Sequence, residues 1–250
     1  MNKFLIKNTL KKIKAYSLLN HKEEICGLIY KNNEKYEIYP CDNIAINKKI
    51  NFVIKPIDAK ICEKKGEIIA CYHSHIKNGG FSHDDISSSL EIKLPYIVYN
   101  IIENKFYFFD PIKYFHYKKY INLNYQYGVN DCCAIFVRYS NDQLKIPITD
   151  PEDGRFQRPD YNSYSSWSYE CRKDWMDKVG LKKINPKSIK DLKVNDILVF
   201  KSQDEATPTS GAILLENKLI LHQRNHQPSR IESFRKAHFR MLLYAGRHEK

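Results

Sequence analysis

The apolar residues of this chain come in short blocks, and that constrains its fold more than any other feature. Residues 25–30, 68–72, 96–102, 197–200, 212–215 and 219–222 are strand-length runs bounded by polar or turn residues. Runs of that length, rich in Ile, Val and Tyr, are expected to bury as β-strands. None approaches the ~18–20 apolar residues of a membrane helix. The best candidate, 94–102, is too short and lies close to charges. The opening MNKFLIKNTLKKIK is broken by Lys every few residues, so it lacks the apolar core of a secretory signal. The expected compartment is the cytoplasm.

Between these blocks the pattern alternates. Ile6, Leu10 and Ile13 fall at i, i+4 and i+7 and predict an opening amphipathic helix. A strand at 36–39 pairs with 25–30 across Asn32-Asn33, and 51–55 reads as a third strand. Pro56 can open a helix over 57–65 that Gly66 stops. The run 68–72 leads directly into His73-Ser74-His75, followed by a Gly-Gly loop and a short helix from about Asp84. Residues 96–102 and 105–109 form a hairpin over Glu103-Asn104. The aromatic, basic stretch 111–127 has no clear period, which places a domain boundary near residue 115. Beyond it, 131–141 reads as a helix, 146–170 as a long loop and 171–179 as a helix that Gly180 ends. Consecutive strands then follow. The expected fold is α+β in two domains, 1–115 and 116–250.

Charge and cysteine usage exclude several classes. The net charge is +12, but the excess is even: 18 Lys/Arg against 13 Asp/Glu in 1–115, and 23 against 16 in 116–250. No dense basic block stands out, so nucleic acid is not an expected partner. Seven cysteines, an odd number with no C-x-x-C pair, argue against a disulfide framework and a structural zinc site. Most are expected to be small buried apolar residues, with one candidate nucleophile. There is no internal repeat and no Gly-rich phosphate loop. The 18 Tyr and 12 Phe are expected to pack rather than stack on a ligand, and so are Trp167 and Trp175, which could alternatively line a groove.

Two constellations carry chemistry. His73 and His75, two apart at a strand end, point to one face and could grip one ion. Asp85 follows after the Gly-rich loop. Two His and one Asp leave a fourth position for water, the open coordination of a catalytic zinc, which lowers the pKa of its water to about 7. Glu24 could take that proton and hand it to a leaving amine; Glu23 reads as a solvated neighbour. The pieces Glu24-Ile25-Cys26-Gly27, His73-Ser74-His75 and Ser82-His83-Asp84-Asp85 resemble the JAMM (MPN-plus) metallopeptidase family in its bacterial and phage branch. The resemblance implies Zn2+ held by His73, His75 and Asp85, Glu24 as general acid/base, and Ser82 as the donor that steadies the water or oxyanion. The spacer from His75 to Ser82 is one residue shorter than the family's, which leaves Asp84 or His83 open as the third ligand. Ile76 stands where the family usually has Pro.

The second constellation is Gly128-Val129-Asn130-Asp131-Cys132-Cys133-Ala134. It sets Cys132 at an expected helix N-terminus, where the helix dipole favours a thiolate. It resembles the catalytic motif of NlpC/P60 peptidases, papain-like enzymes that cut peptidoglycan stem peptides. Asp196 through Phe200, then Ser210-Gly211-Ala212-Ile213, and Leu219-Ile220-Leu221-His222 resemble the family's remaining site strands. Ser210 stands where the family has its catalytic His, and a hydroxyl cannot accept the thiol proton at neutral pH. His222 matches the third polar position and is the candidate substitute. His226 is a weaker one, and Cys133 reads as packing.

The order of the two resembles the phage tail-tip assembly protein K family of lambda-type tails over nearly the whole chain. That implies a JAMM-like α/β zinc-peptidase sandwich followed by a papain-like NlpC/P60 α+β domain. It further implies other tail-tip proteins as partners, a peptide or peptidoglycan substrate, and residence in the host cytoplasm during assembly or at the virion tail tip. Two rivals remain: an active cell-wall cysteine endopeptidase through Cys132, and a non-catalytic tail-tip component that uses both folds to bind.

Overall fold

A computed structural model describes residues 3–77, 79–126, 129–148, 180–201, 208–224 and 226–248. The expected helix at 171–179, most of the expected loop at 146–170, Trp167, Trp175 and Gly128 lie outside the described residues. The chain is a mixed α and β protein compatible with an α+β class, and it clusters into two compact units, Met1–Lys118 and Lys119–Lys250.

The first unit is built on a five-stranded sheet. Its elements are α1 (Lys3–Leu19), β1 (Cys26–Asn32), β2 (Lys35–Cys41), α2 (Pro56–Glu63), β3 (Glu67–His75), α3 (His83–Ile92), β4 (Tyr96–Asn100), β5 (Lys105–Phe109) and α4 (Pro111–Tyr114). The strand order is β2-β1-β3-β4-β5. Only β3 and β4 run parallel, joined across α3. The central strands are the apolar blocks of the sequence, and β4 is buried along its whole length. Ile13 of α1 packs with Ile25, Ile29, Ala70, Tyr72, Ile97 and Tyr99. Each of these isoleucines, fully buried, contributes roughly 1.5–3 kcal/mol. Gly27 pairs with Tyr72, and a Cβ there would collide with the Tyr72 hydroxyl and the Tyr39 carbonyl, so glycine is required.

The expected strand at 51–55 does not form. One buried side chain replaces the ladder. The Asn43 amide donates to the Asn51 carbonyl at 3.0 Å, and its Oδ1 accepts from Val53 N at 3.1 Å. A single backbone bond, Ile44 N to Val53 O, completes the link. The expected hairpin strand 96–102 ends earlier, at Asn100, where Asn104 takes the left-handed turn position at φ 49.

The second unit holds α5 (Cys132–Tyr139), β6 (Leu181–Ile184), β7 (Ile197–Lys201), β8 (Pro208–Leu215), β9 (Leu219–His222), β10 (Arg230–Ser233), α6 (Lys236–Arg240) and β11 (Leu242–His248). Six strands form an antiparallel sheet in the order β10-β9-β8-β7-β11-β6. The strands expected from residue 197 to 222 are its centre. Strands β6, β10 and β11 were not expected, because each mixes polar with apolar residues. Leu198, Phe200, Ala212, Leu214, Ile220, Phe234 and Ala245 form one core cluster. Asp196, 1 % exposed, receives two 2.7 Å bonds from the Arg247 guanidinium and so ties the start of β7 to β11. No described helix is long and apolar enough to cross a membrane.

Candidate functional site

The sheet alternation sends His73 and His75 to one face of β3 and Ser74 to the other. Ser74 is fully buried and clamps the chain beside Glu24. Its Oγ accepts from Ile25 N at 3.0 Å, and its own N–H donates to the Ile25 carbonyl at 3.0 Å. Asn43 holds Glu24 from the other side, donating to its carbonyl at 2.8 Å, while Glu24 N donates to the Lys48 carbonyl at 2.7 Å. Glu24 is thereby fixed at the end of β1, against the strand that carries both imidazoles.

Asp85 arrives from α3. Ser82 is the N-cap of that helix, with Asp85 at its third position in a reciprocal capping box. Ser82 N and Ser82 Oγ both donate to Asp85 Oδ2, at 2.7 and 2.8 Å. The Ser82 hydroxyl thus aims the Asp85 carboxylate. Asp84 is exposed and His83 half-buried. Asp85, although the loop before Ser82 is short, is the one that joins the histidines.

The ligand-bearing atoms of His73, His75 and Asp85 lie within 4.8 Å of one another. His73 Nε2 is 3.1 Å from His75 Nε2 and 3.0 Å from Asp85 Oδ1, and His75 Nε2 is 3.4 Å from Asp85 Oδ2. Bonds of ~2.0–2.1 Å to a tetrahedral zinc would set its ligands about 3.3 Å apart. The separation of the two histidine nitrogens is close to that edge length, and each histidine has one of the two Asp85 oxygens at a similar distance. The surroundings of the two rings are unequal. The Gly79 backbone beside His75 favours its charged form. His73 Nδ1 is buried with no hydrogen-bond partner among the described residues, and its ring is held instead by Phe52, stacked at 4.4 Å.

The electrostatics follow from burial and crowding. Burial opposes the charge of Asp85, but both histidines outweigh it and hold the carboxyl well below its usual range. Burial lowers His73, with Asp85 opposing. Burial would lower His75 too, but Asp85 and Glu24 raise it. Glu24, with Oε1 3.9 Å from His75 Nε2, is pushed up to about 7 by burial, with His75 opposing. Glu23 is exposed to solvent.

In the second unit, Cys132, Cys133, Ser210 and His222 line one cavity with Ile135, Phe136 and other apolar residues. Cys132 is the first residue of α5, whose N-cap Asp131 accepts from Ala134 N at 2.8 Å. Ser210 lies opposite Phe200 in the β7–β8 register. His222 is buried, and its Nε2 lies 2.8 Å from Glu232 Oε1, with His238 Nε2 3.8 Å from the same oxygen. Burial lowers His222, so a neutral imidazole N–H donates to the carboxylate. Burial opposes ionisation of Glu232 too, but His222 and His238 outweigh it and hold the group at about 2. Glu232 and His238 were missed in the sequence. Only the pairing of Arg230 with His222 reveals that Glu232 sits diagonally beside that imidazole. His226 is exposed, at φ 58.

Cys26, Cys41, Cys62 and Cys71 are buried, and burial raises every one of their thiols, to about 12 for Cys26 and Cys41. They act as small apolar residues. The chain matches no protein-family model and no curated protein sequence.

Proposed function

We propose that the first unit is a zinc-dependent hydrolase of peptide or isopeptide bonds, in a phage or prophage tail-tip assembly protein. The observation that carries this reading is the convergence of one ligand atom each from His73, His75 and Asp85 within 4.8 Å of one another, with the Glu24 carboxylate 3.9 Å from His75. His73, His75 and Asp85 would hold the ion. A bound zinc supplies a Lewis acid and a water acidic enough to ionise near neutral pH. Glu24, buried and close to neutrality in its affinity for protons, holds a proton at its carboxylate and can return it to a leaving amine. Ser82 fixes the Asp85 rotamer, while Ser74 and Asn43 fix the backbone of Glu24. The JAMM resemblance supports the reaction class, and the order of the two motifs supports the tail-assembly setting.

A second reading applies to the second unit. Ser210 in place of a base, and a His222 whose Nε2 is committed to Glu232, favour a unit that binds peptidoglycan or a tail partner and does not cut it. The test of both readings is hydrolysis of peptide libraries and of peptidoglycan by the zinc-loaded protein. Cleavage lost in Glu24→Gln and kept in Cys132→Ala supports them. Stem-peptide release that vanishes in Cys132→Ala would assign the activity to the second unit instead.

A further inference from the structure

Six residues, 76–81, carry the chain from His75 on β3 to Ser82, the cap that aims Asp85. So short a link has little slack, and its path decides where the third ligand lands. The end of the link is buried, at Gly79, Gly80 and Phe81. Gly79 takes φ 123, a conformation that other residues rarely adopt. A buried loop cannot give its backbone groups to water and must find partners within the protein. One side chain supplies two of them. Asn100, fully buried at the end of β4, donates from Nδ2 to the Lys77 carbonyl at 2.6 Å and to the Gly79 carbonyl at 2.7 Å. Both of its amide hydrogens are spent on the link. Its Oδ1 accepts from Glu103 N at 2.9 Å, and the Glu103 carboxylate accepts from Gly79 N at 2.9 Å. The turn after β4 thus grips Gly79 by its carbonyl and its amide alike.

Asn100 is also the register partner of His75. Strands β3 and β4 run parallel, and His75 stands opposite Asn100 as His73 stands opposite Val98. Opposed residues share a face of the sheet, so the amide lies on the face that carries both imidazoles. Ile101 N donates to the His75 carbonyl at 3.0 Å, which pins the two strands at this level. The same residue is therefore tied to one ligand through the sheet and to another through the link. We infer that Asn100 is a positioning residue of the metal centre: it fixes the path of residues 76–81 and so sets the Asp85 carboxylate 3.4 Å from His75 Nε2. Helix α3 has separate anchors further along. Ile86 and Leu90 are fully buried, and Ser89 Oγ donates to the Leu94 carbonyl at 2.6 Å. Loss of Asn100 is thus expected to leave the helix packed and to loosen its first turn, where Asp85 stands. The inference rests on the hydrolase reading for the identity of the ion, but its test reads metal binding and not cleavage.

The protein for the test is the full chain. Zinc affinity is measured by competition with a chromophoric chelator, and ligand geometry by the visible absorption of the cobalt(II)-loaded form. Asn100→Leu is close in size, adds no charge and removes both donors. It is expected to weaken zinc by about 10–100-fold, the usual effect of losing a group that orients a metal ligand, and to change the cobalt spectrum. Ser89→Ala is the control. It removes a buried hydrogen bond at the other end of α3, so it is expected to lower stability in urea and to leave both metal readouts as in the wild type. Wild-type affinity and spectrum in Asn100→Leu overturn the inference. An equal loss of zinc in Ser89→Ala also overturns it, since the effect would then be one of general stability. Should Asn100→Leu not fold, Glu103→Ala, at an exposed position, removes the tie to Gly79 N. Weaker zinc with an altered cobalt spectrum then supports the inference, and wild-type values overturn it. A wild-type chain that binds neither metal removes the hydrolase reading and the inference with it, whereas a wild type that binds both, matched by Asn100→Leu, sinks the inference alone.

Discussion

Each unit buries histidine against carboxylate, yet the two arrangements call for different things. In the first unit two imidazole nitrogens 3.1 Å apart converge on Asp85, with the Glu24 carboxylate 3.9 Å from one of them. Two of the ring nitrogens and two carboxylates crowd one small volume, and lone pairs outnumber the protons at hand. A cation relieves that. In the second unit one neutral imidazole donates to one carboxylate at 2.8 Å, and a further histidine stands off at 3.8 Å. Donor and acceptor are matched, so nothing more is required. A buried His–carboxylate pair is thus not a functional sign by itself, whereas an excess of converging ligand atoms is.

The sharpest way to break this contrast is catalytic. Glu24→Gln is expected to lower peptide hydrolysis by about 10²–10⁴-fold while zinc stays bound, since it removes proton transfer alone. Cys132→Ala is expected to leave that rate unchanged. Equal losses in both variants, read as kcat/KM on a library-derived peptide, would erase the division of labour between the units.

The next effect is on stability. Zinc at a hundred times its dissociation constant adds roughly 2.7 kcal/mol to whatever binds it. The thermal midpoint of the first unit is expected to rise with zinc and fall back with chelator, and His73→Ala is expected to abolish the response. His222→Gln is expected to keep it. A zinc response that survives His73→Ala would put the ion elsewhere.

Asn43→Ala follows. It strands the amides of Ala45 and Val53 and the carbonyls of Glu24 and Asn51. A cost of about 1–3 kcal/mol in urea unfolding is expected, with slower hydrolysis because Glu24 loses its backbone support. Stability lost with a wild-type rate would show that Asn43 holds the loop and not the base.

The smallest effect separates the units by pH. Glu232 is held at about 2, below its ordinary range, so its stabilisation is complete above that range and is lost as pH falls toward 2. His222 is also lowered, so the unfolded chain takes up its proton first, and the loss begins as pH drops below the usual histidine value. The second unit is expected to weaken steadily with acid. Glu232→Gln is expected to be less stable at neutral pH and to show a flatter profile in pH-dependent urea melts. An unchanged profile would dissolve the matched pair described for this unit.

How much of this was legible in sequence depends on the range of each contact. His73 and His75 were legible because strand alternation alone brings residues two apart to one face. Asp85 was legible from the Ser82-His83-Asp84-Asp85 motif after the Gly-rich loop, and in the structure Asp85 is buried beside the histidines while Asp84 is exposed. Ser74 and Asn43 were not, because their partners lie 49 and 19 residues away and nothing local marks them. The same asparagine explains the strand wrongly expected at 51–55, since side-chain bonds do there what a ladder would have done. In the second unit the apolar strands were visible. The short polar strand Arg230–Ser233 was not, and Glu232 went unseen with it. Ser210 was read from its position alone, and the commitment of His222 to Glu232 adds a second reason to doubt thiol chemistry there.

The most direct test of the central claim is metal stoichiometry by elemental analysis on the purified chain, beside His75→Ala and His222→Gln. About one zinc per chain is predicted for the wild type and for His222→Gln, and none for His75→Ala. A wild type that takes up no zinc after reconstitution, or a His75→Ala protein that keeps it, would contradict the metal centre assigned to His73, His75 and Asp85.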